Sequence, residues 1–132
     1  MQMQASPQNK GAIWIKLAVV YLIVGVAMGI MMGASRDFTL RPVHAHINLL
    51  GWATFALAGL IYTVYPRAGL SKLAKIHFWL MNISVPVMMA ALGIILTTQN
   101  MKIIPVLVVA EMLAAASVLV FAANIFLNLK QE

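Results

Sequence analysis

The chain has no cysteine, three acidic residues, and charge on only 9% of its 132 positions. The missing cysteine excludes disulfides, thiolate metal sites and covalent c-type haem attachment. The scarcity of charge excludes more. Soluble domains carry about 25% charged residues. Here 63% of residues are apolar and the mean hydropathy is +0.94. One core in so short a chain could not hide that much apolar surface. An ordinary soluble domain and a disordered chain are therefore both excluded.

What charge there is has mostly one sign. Nine Lys and Arg against three acids give +6. On a soluble surface that excess would suggest nucleic acid. In this chain the basic residues fall between long apolar runs, where they set membrane orientation. The expected partner is the lipid bilayer, with no nucleic acid.

Four apolar runs stand out. Residues 17–35, 42–66 and 76–101 carry no Asp, Glu, Lys or Arg, and 103–129 carries only Glu111. A spanning helix needs about 20 apolar residues. In lipid a lone strand would leave its backbone unsatisfied. The runs predict an all-α, integral membrane four-helix bundle forming one domain over 1–132, with spans near 13–35, 43–65, 76–99 and 103–128. The first run is too long for a signal peptide, and no A-x-A cleavage site follows it. Short loops make successive helices antiparallel neighbours.

Lys10, Lys16, Arg67, Lys72, Lys75 and Lys130 fall on one side, and Arg36, Arg41 and Lys102 on the other. The six-residue side is expected to be cytoplasmic, which puts both termini on the cytoplasmic side of a bacterial cytoplasmic (inner) membrane. Trp14, Trp52, Tyr62, Tyr65 and Trp79 fall near helix ends, as interfacial belts do. Gly25, Gly29 and Gly33 form a small-xxx-small ridge suited to close helix packing. Pro86 should kink the third helix, whereas Pro105 suits the first turn of the fourth.

Polar groups at membrane depth need a reason to be there. His44 and His46 open the second span on the outer side, and His77 opens the third on the inner side. Two residues apart on a helix is a rotation of about 200°, so His44 and His46 face different ways. The length of the second span, on the order of 25 Å, separates His46 from His77. His77 reads as an interfacial histidine. Glu111 lies roughly 12 Å into the fourth span, at a depth where it could orient His46 or bond Asn48. Met28, Met31 and Met32 cluster near the outer end of the first span. Thioethers with imidazole can bind copper(I), and methionine is also routine apolar filler. The sequence has no phosphate-binding glycine loop and no metalloprotease pattern.

From Arg41 the chain reads RPVHAHINLLGWATFALAGLIYTVYP. This resembles the second helix of subunit I of the haem-copper oxidase superfamily, most of all its nitric oxide reductase large-subunit branch. The pattern there is similar to H-x-N-L-L-x-x-W followed by glycine, tyrosine and proline. His46, Asn48, Leu49, Leu50, Trp52, Gly59, Tyr62 and Pro66 match it with one gap. The resemblance implies that His46 is an axial ligand of a b-type haem. A second register, R-P-x-H, matches Arg41, Pro42 and His44, and would make His44 the ligand. The match through His46 continues further along the helix. His77, Phe78, Trp79 and Leu80 with Pro86 resemble the start of the family's third helix.

The family's catalytic centre needs six histidines, and this chain has three. A complete oxidase or nitric oxide reductase is therefore not expected. The resemblance implies a small cytochrome-like protein holding haem b near the outer face, for electron transfer or for response to O₂ or NO. One histidine per chain implies a homo-oligomer or a partner that supplies the opposite ligand. Arg36, Arg41 and Lys102 are candidates for pairing haem propionates. His44, His46, Arg41 and Glu111 are the candidate cofactor residues, and His77 is a further possible metal ligand. The alternatives are a cofactor-free accessory or assembly subunit of a respiratory complex, and a copper-binding membrane protein.

Overall fold

The computed structural model describes residues 10–129, and among these every regular element is helical. Four helices are long and apolar enough to cross a membrane: α1 Gly11–Ser35, α2 Arg41–Val64, α3 Lys72–Thr98 and α4 Met101–Asn128. A single helical turn, Pro66–Gly69, joins α2 to α3. Lys130 and both chain termini lie outside the described residues.

Local chemistry sets the helix limits. Arg36 and Gln99 adopt left-handed backbone, each at φ 56°, and so end α1 and α3. Between α1 and α2 the Asp37 carboxylate accepts from Thr39 Oγ1 at 2.7 Å and Thr39 N at 2.9 Å. Those bonds, the hydroxyl's first, hold the Asp37 carboxyl below its ordinary pKa. The α3 helix begins four residues before the expected 76. Ser71 caps it, its Oγ accepting from Ala74 N at 3.0 Å. The helix continues through Pro86, and Pro105 sits in the first α-helical turn of α4.

The chain packs as two antiparallel hairpins, α1 with α2 and α3 with α4. The α1–α2 seam uses glycine. A Cβ on Gly25 would lie 2.6 Å from Asn48 Oδ1, and one on Gly29 would lie 3.1 Å from His44 Cε1. Gly33, the third expected member of the ridge, faces open space. The seam continues instead through Gly59 of α2, where a Cβ would lie 2.7 Å from Ile15 Cγ1 and 2.9 Å from Gly11 O.

Apolar side chains cover the outside. Leu119 is 71% exposed and Phe126 is 88% exposed, with Ile23, Ile30 and Leu57 also outward. Such a surface suits hydrocarbon and would aggregate in water.

Trp14 and Tyr62 depart from the belt expectation. Both are buried in the core cluster, while Trp79 faces outward. Position near a helix end did not determine the direction of the ring. Close approach of α1 to α2 at Gly59 sets Trp14 Cβ against α2, and its indole packs on Phe55, His77 and Phe78.

Replacing Gly59 with Leu should force α1 and α2 apart, at a cost of about 1–3 kcal/mol. Thermal unfolding in detergent should show a clear fall in Tm. The same change at Gly33 should leave Tm near wild type.

Candidate functional site

The polar groups separate into two clusters at opposite ends of the bundle. The first lies at the Arg36–Leu40 end. Arg41 begins α2, with its guanidinium 5.1 Å from the Phe38 ring centroid. One turn on come His44 and His46, both half-buried. The two rings go different ways, as their spacing requires. His44 turns toward α1 and lies against Gly29. His46 bonds back along its own helix, with Nδ1 2.7 Å from Pro42 O.

These partners assign the tautomers. A carbonyl only accepts, so His46 Nδ1 carries the proton and Nε2 holds the lone pair. Pro42 is well placed for this. Proline at the helix start fixes the first turn, and its carbonyl lies four residues before His46. His44 has the opposite arrangement. Asn48 Nδ2 donates to His44 O at 2.8 Å and lies 3.4 Å from His44 Nδ1. An amide N–H there makes His44 Nδ1 the acceptor.

Directly after His46 the helix widens. Ile47–Thr54 is π-helical, and Thr54 Oγ1 donates to Leu49 O, five residues back, at 2.8 Å. Well under 1% of residues are π-helical, and such stretches recur at functional sites. Gly51, inside the stretch, lies against Tyr21 of α1. The change in helical register falls between the histidine-bearing turn, which places Val43 in the core, and the turns from Phe55 onward. Nothing in the residue pattern announces it except Gly51.

Beside this cluster a crevice of about 390 Å³ opens between the C-terminal parts of α1 and α3. Met28, Met31, Met32 and Asp37 line it, with Thr39 and Leu96. The three methionines are thus brought together. Neither His44 nor His46 lines the crevice.

Glu111 is not where the sequence suggested. It lies on the exposed face of α4, beside Val108 and Met112, and bonds neither His46 nor Asn48. The buried stripe of α4 is Ala110, Ala114, Ser117 and Asn124. Glu111 is one residue off that stripe, about 100° around the helix.

The second cluster, at the Tyr65–Ser71 end, centres on His77. This histidine is 1% exposed, in the core and not at an interface. Its ring stacks on Trp14 at 4.5 Å and lies 4.8 Å from Phe121. Tyr62 Oη lies 2.8 Å from His77 Nδ1. Asn124 Nδ2 donates to Tyr62 Oη at 3.3 Å and to Ala68 O at 3.0 Å. Its Oδ1 accepts from Ser71 Oγ at 2.7 Å and from Asn128 Nδ2 at 2.8 Å. Because Tyr62 Oη accepts from Asn124, its own proton is free to go to His77.

Residues from all four helices meet here, and the groups satisfy one another, which is the arrangement of a structural core. Sequence reasoning missed Tyr62, Asn124 and Ser71. Asn124 in an apolar span was the available signal.

Among the described residues no three His, Asp or Glu side chains gather as a metal site. No family model, curated protein or solved structure matches the chain.

Asn124→Leu should remove the bonds to Ala68 O, Ser71 Oγ, Tyr62 Oη and Asn128 Nδ2 at once, leaving Ala68 O to Ser71 and Tyr62 Oη to His77, at a cost of about 1–3 kcal/mol. Tyr62→Phe removes one hydroxyl and should cost about 1 kcal/mol. Thermal unfolding in detergent should therefore rank wild type above Tyr62→Phe above Asn124→Leu. Equal stability of all three would contradict the structural role.

Proposed function

We propose that this chain is an integral membrane protein that binds b-type haem through His46, for electron transfer or for response to O₂ or NO. The observation that carries the reading is the hydrogen bond from His46 Nδ1 to Pro42 O. Metal-bound histidines typically donate their other ring N–H to a carbonyl or carboxylate, which fixes the ring and raises its basicity. His46 has that arrangement, with Nε2 left to coordinate. His44 suits the role less, because its Nδ1 faces an amide donor and its ring is packed on α1. This preference agrees with the longer of the two motif registers.

Of this chain's residues, His46 would hold the haem iron through Nε2. His46 lies about 8 Å into α2 from Arg41, a depth where haem can sit in the bilayer. Arg41 and Arg36 are near enough to the helix start to neutralise propionates. The opposite ligand comes from outside the chain, most simply from His46 of a second copy across a two-fold axis. Haem held by two imidazoles supplies one-electron chemistry, and with one imidazole it leaves a position for gas.

The end carrying Lys10, Lys16, Arg67, Lys72 and Lys75 is the cytoplasmic one, and His46 lies toward the outer face of a bacterial cytoplasmic membrane. The resemblance to subunit I of the haem-copper oxidases then extends over about its first four helices, with its most specific motif on the haem-binding helix. A respiratory subunit or a soluble redox protein is the natural partner.

A second reading, copper binding, is favoured by the three methionines lining one crevice.

The test uses protein purified in detergent from cells supplied with haem. Reduced-minus-oxidised spectra should show a Soret band in wild type and in His44→Ala, and none in His46→Ala of unchanged elution profile. A His46→Ala spectrum identical to wild type would reject the ligand. Metal analysis should find iron. Copper without iron would replace the haem reading with the second one.

A further inference from the structure

A cavity of about 430 Å³ opens at the Tyr65–Ser71 end, between the start of α1 and the start of α3. Lys10, Lys72 and Lys75 line it together with Trp14, Leu70 and Phe78. It is separate from the His46 cluster and takes no part in haem binding. We infer that this cavity binds the phosphate headgroup of an anionic phospholipid, with the acyl chain descending along Phe78.

Three observations lead to that occupant. The first is charge. Lys72 and Lys75 stand in the first turn of α3, a turn without an acidic residue. Cations at a helix start oppose the macrodipole, and an anion relieves both. The two acids among the described residues, Asp37 and Glu111, lie toward the other end of the bundle.

The second is the polarity gradient. Lys72, Lys75 and Phe78 follow at three-residue steps, so they share one face of α3. The face runs from ammonium groups at the helix start to an aromatic ring roughly 9 Å deeper. A phospholipid has the same order, with phosphate above hydrocarbon. A soluble phosphate compound would have no use for the apolar lower wall.

The third is rigidity. Trp14 forms part of the wall and is fixed by its stack on His77. Ser71, beside the lysines, is held by Asn124 and the Ala68 carbonyl. The cavity is therefore built on the best-bonded part of the molecule. Basic pockets between helix ends on the cytoplasmic side are favourable sites for anionic headgroups.

The inference rests on the membrane reading above and is independent of haem. The full chain in neutral detergent is mixed with equal phosphatidylglycerol and phosphatidylcholine, and retained lipid is counted by native mass spectrometry. Phosphatidylglycerol should be retained preferentially. The double variant Lys72→Gln/Lys75→Gln should reduce that preference on the order of tenfold. Lys72→Arg/Lys75→Arg should keep it, and Lys102→Gln at the other end should leave it unchanged.

A second arm adds millimolar inorganic phosphate. Persistence of the bound lipid supports a lipid site, and displacement with phosphate bound in its place overturns it. Equal retention of the two lipids, or wild-type behaviour of the double glutamine variant, also overturns it. A chain found in the membrane fraction that shows no lipid preference would refute this inference alone. A chain absent from the membrane fraction would refute the membrane reading.

Discussion

In a bilayer, helices gain nothing by hiding apolar side chains from one another, because lipid is equally apolar. Association must come from close packing and from polar groups that have nowhere else to bond. In this protein both act, in different places. Glycine lets α1 and α2 approach within each other's side-chain radius. The two hairpins are joined by the knot of Trp14, Tyr62, His77, Phe121 and Asn124. Asn124 is the critical member. It is fully buried and bonds the hydroxyl of Tyr62, the Ala68 carbonyl and Ser71. That one amide bonds the end of α2, the connecting turn and the cap of α3, beside the direct Tyr62–His77 bond between α2 and α3.

The two ends of the bundle consequently differ in character. At the knot the polar side chains bond one another, and His77 is enclosed by aromatic rings. At the other end His46 keeps a nitrogen lone pair available, its proton fixed by Pro42. A π-helical stretch follows that turn, and Val43 and Ile47 tie both to the packed core. The glycine seam contributes here as well. Gly25 and Gly29 receive Asn48 and His44, so α1 packs on two neighbours of His46.

Much of the architecture was legible in the residues. Apolar runs give four helices because length and composition alone decide whether a helix can span. The Gly25–Gly29 part of the ridge packs as expected, and Pro105 sits in a first turn. Other features depend on tertiary direction, which an apolar span conceals. With nearly every residue apolar, no amphipathic stripe shows which way Trp14, His77 or Glu111 points. His77 therefore read as interfacial and is core, while Glu111 read as inward and is outward. His44 and His46 illustrate the reverse case. Their spacing required divergent rings, and the hydrogen bonds then distinguished one from the other. The π-helical widening after His46 has Gly51, packed against Tyr21, as its one signal in the residue pattern.

The central claim is that His46 of this chain coordinates haem, with a second copy supplying the opposite imidazole. A pyridine haemochrome assay against protein concentration measures this directly. Bis-imidazole binding across a two-fold axis predicts b-type haem at about one per two chains. Purified, folded protein that contains no haem after expression with haem available would contradict it.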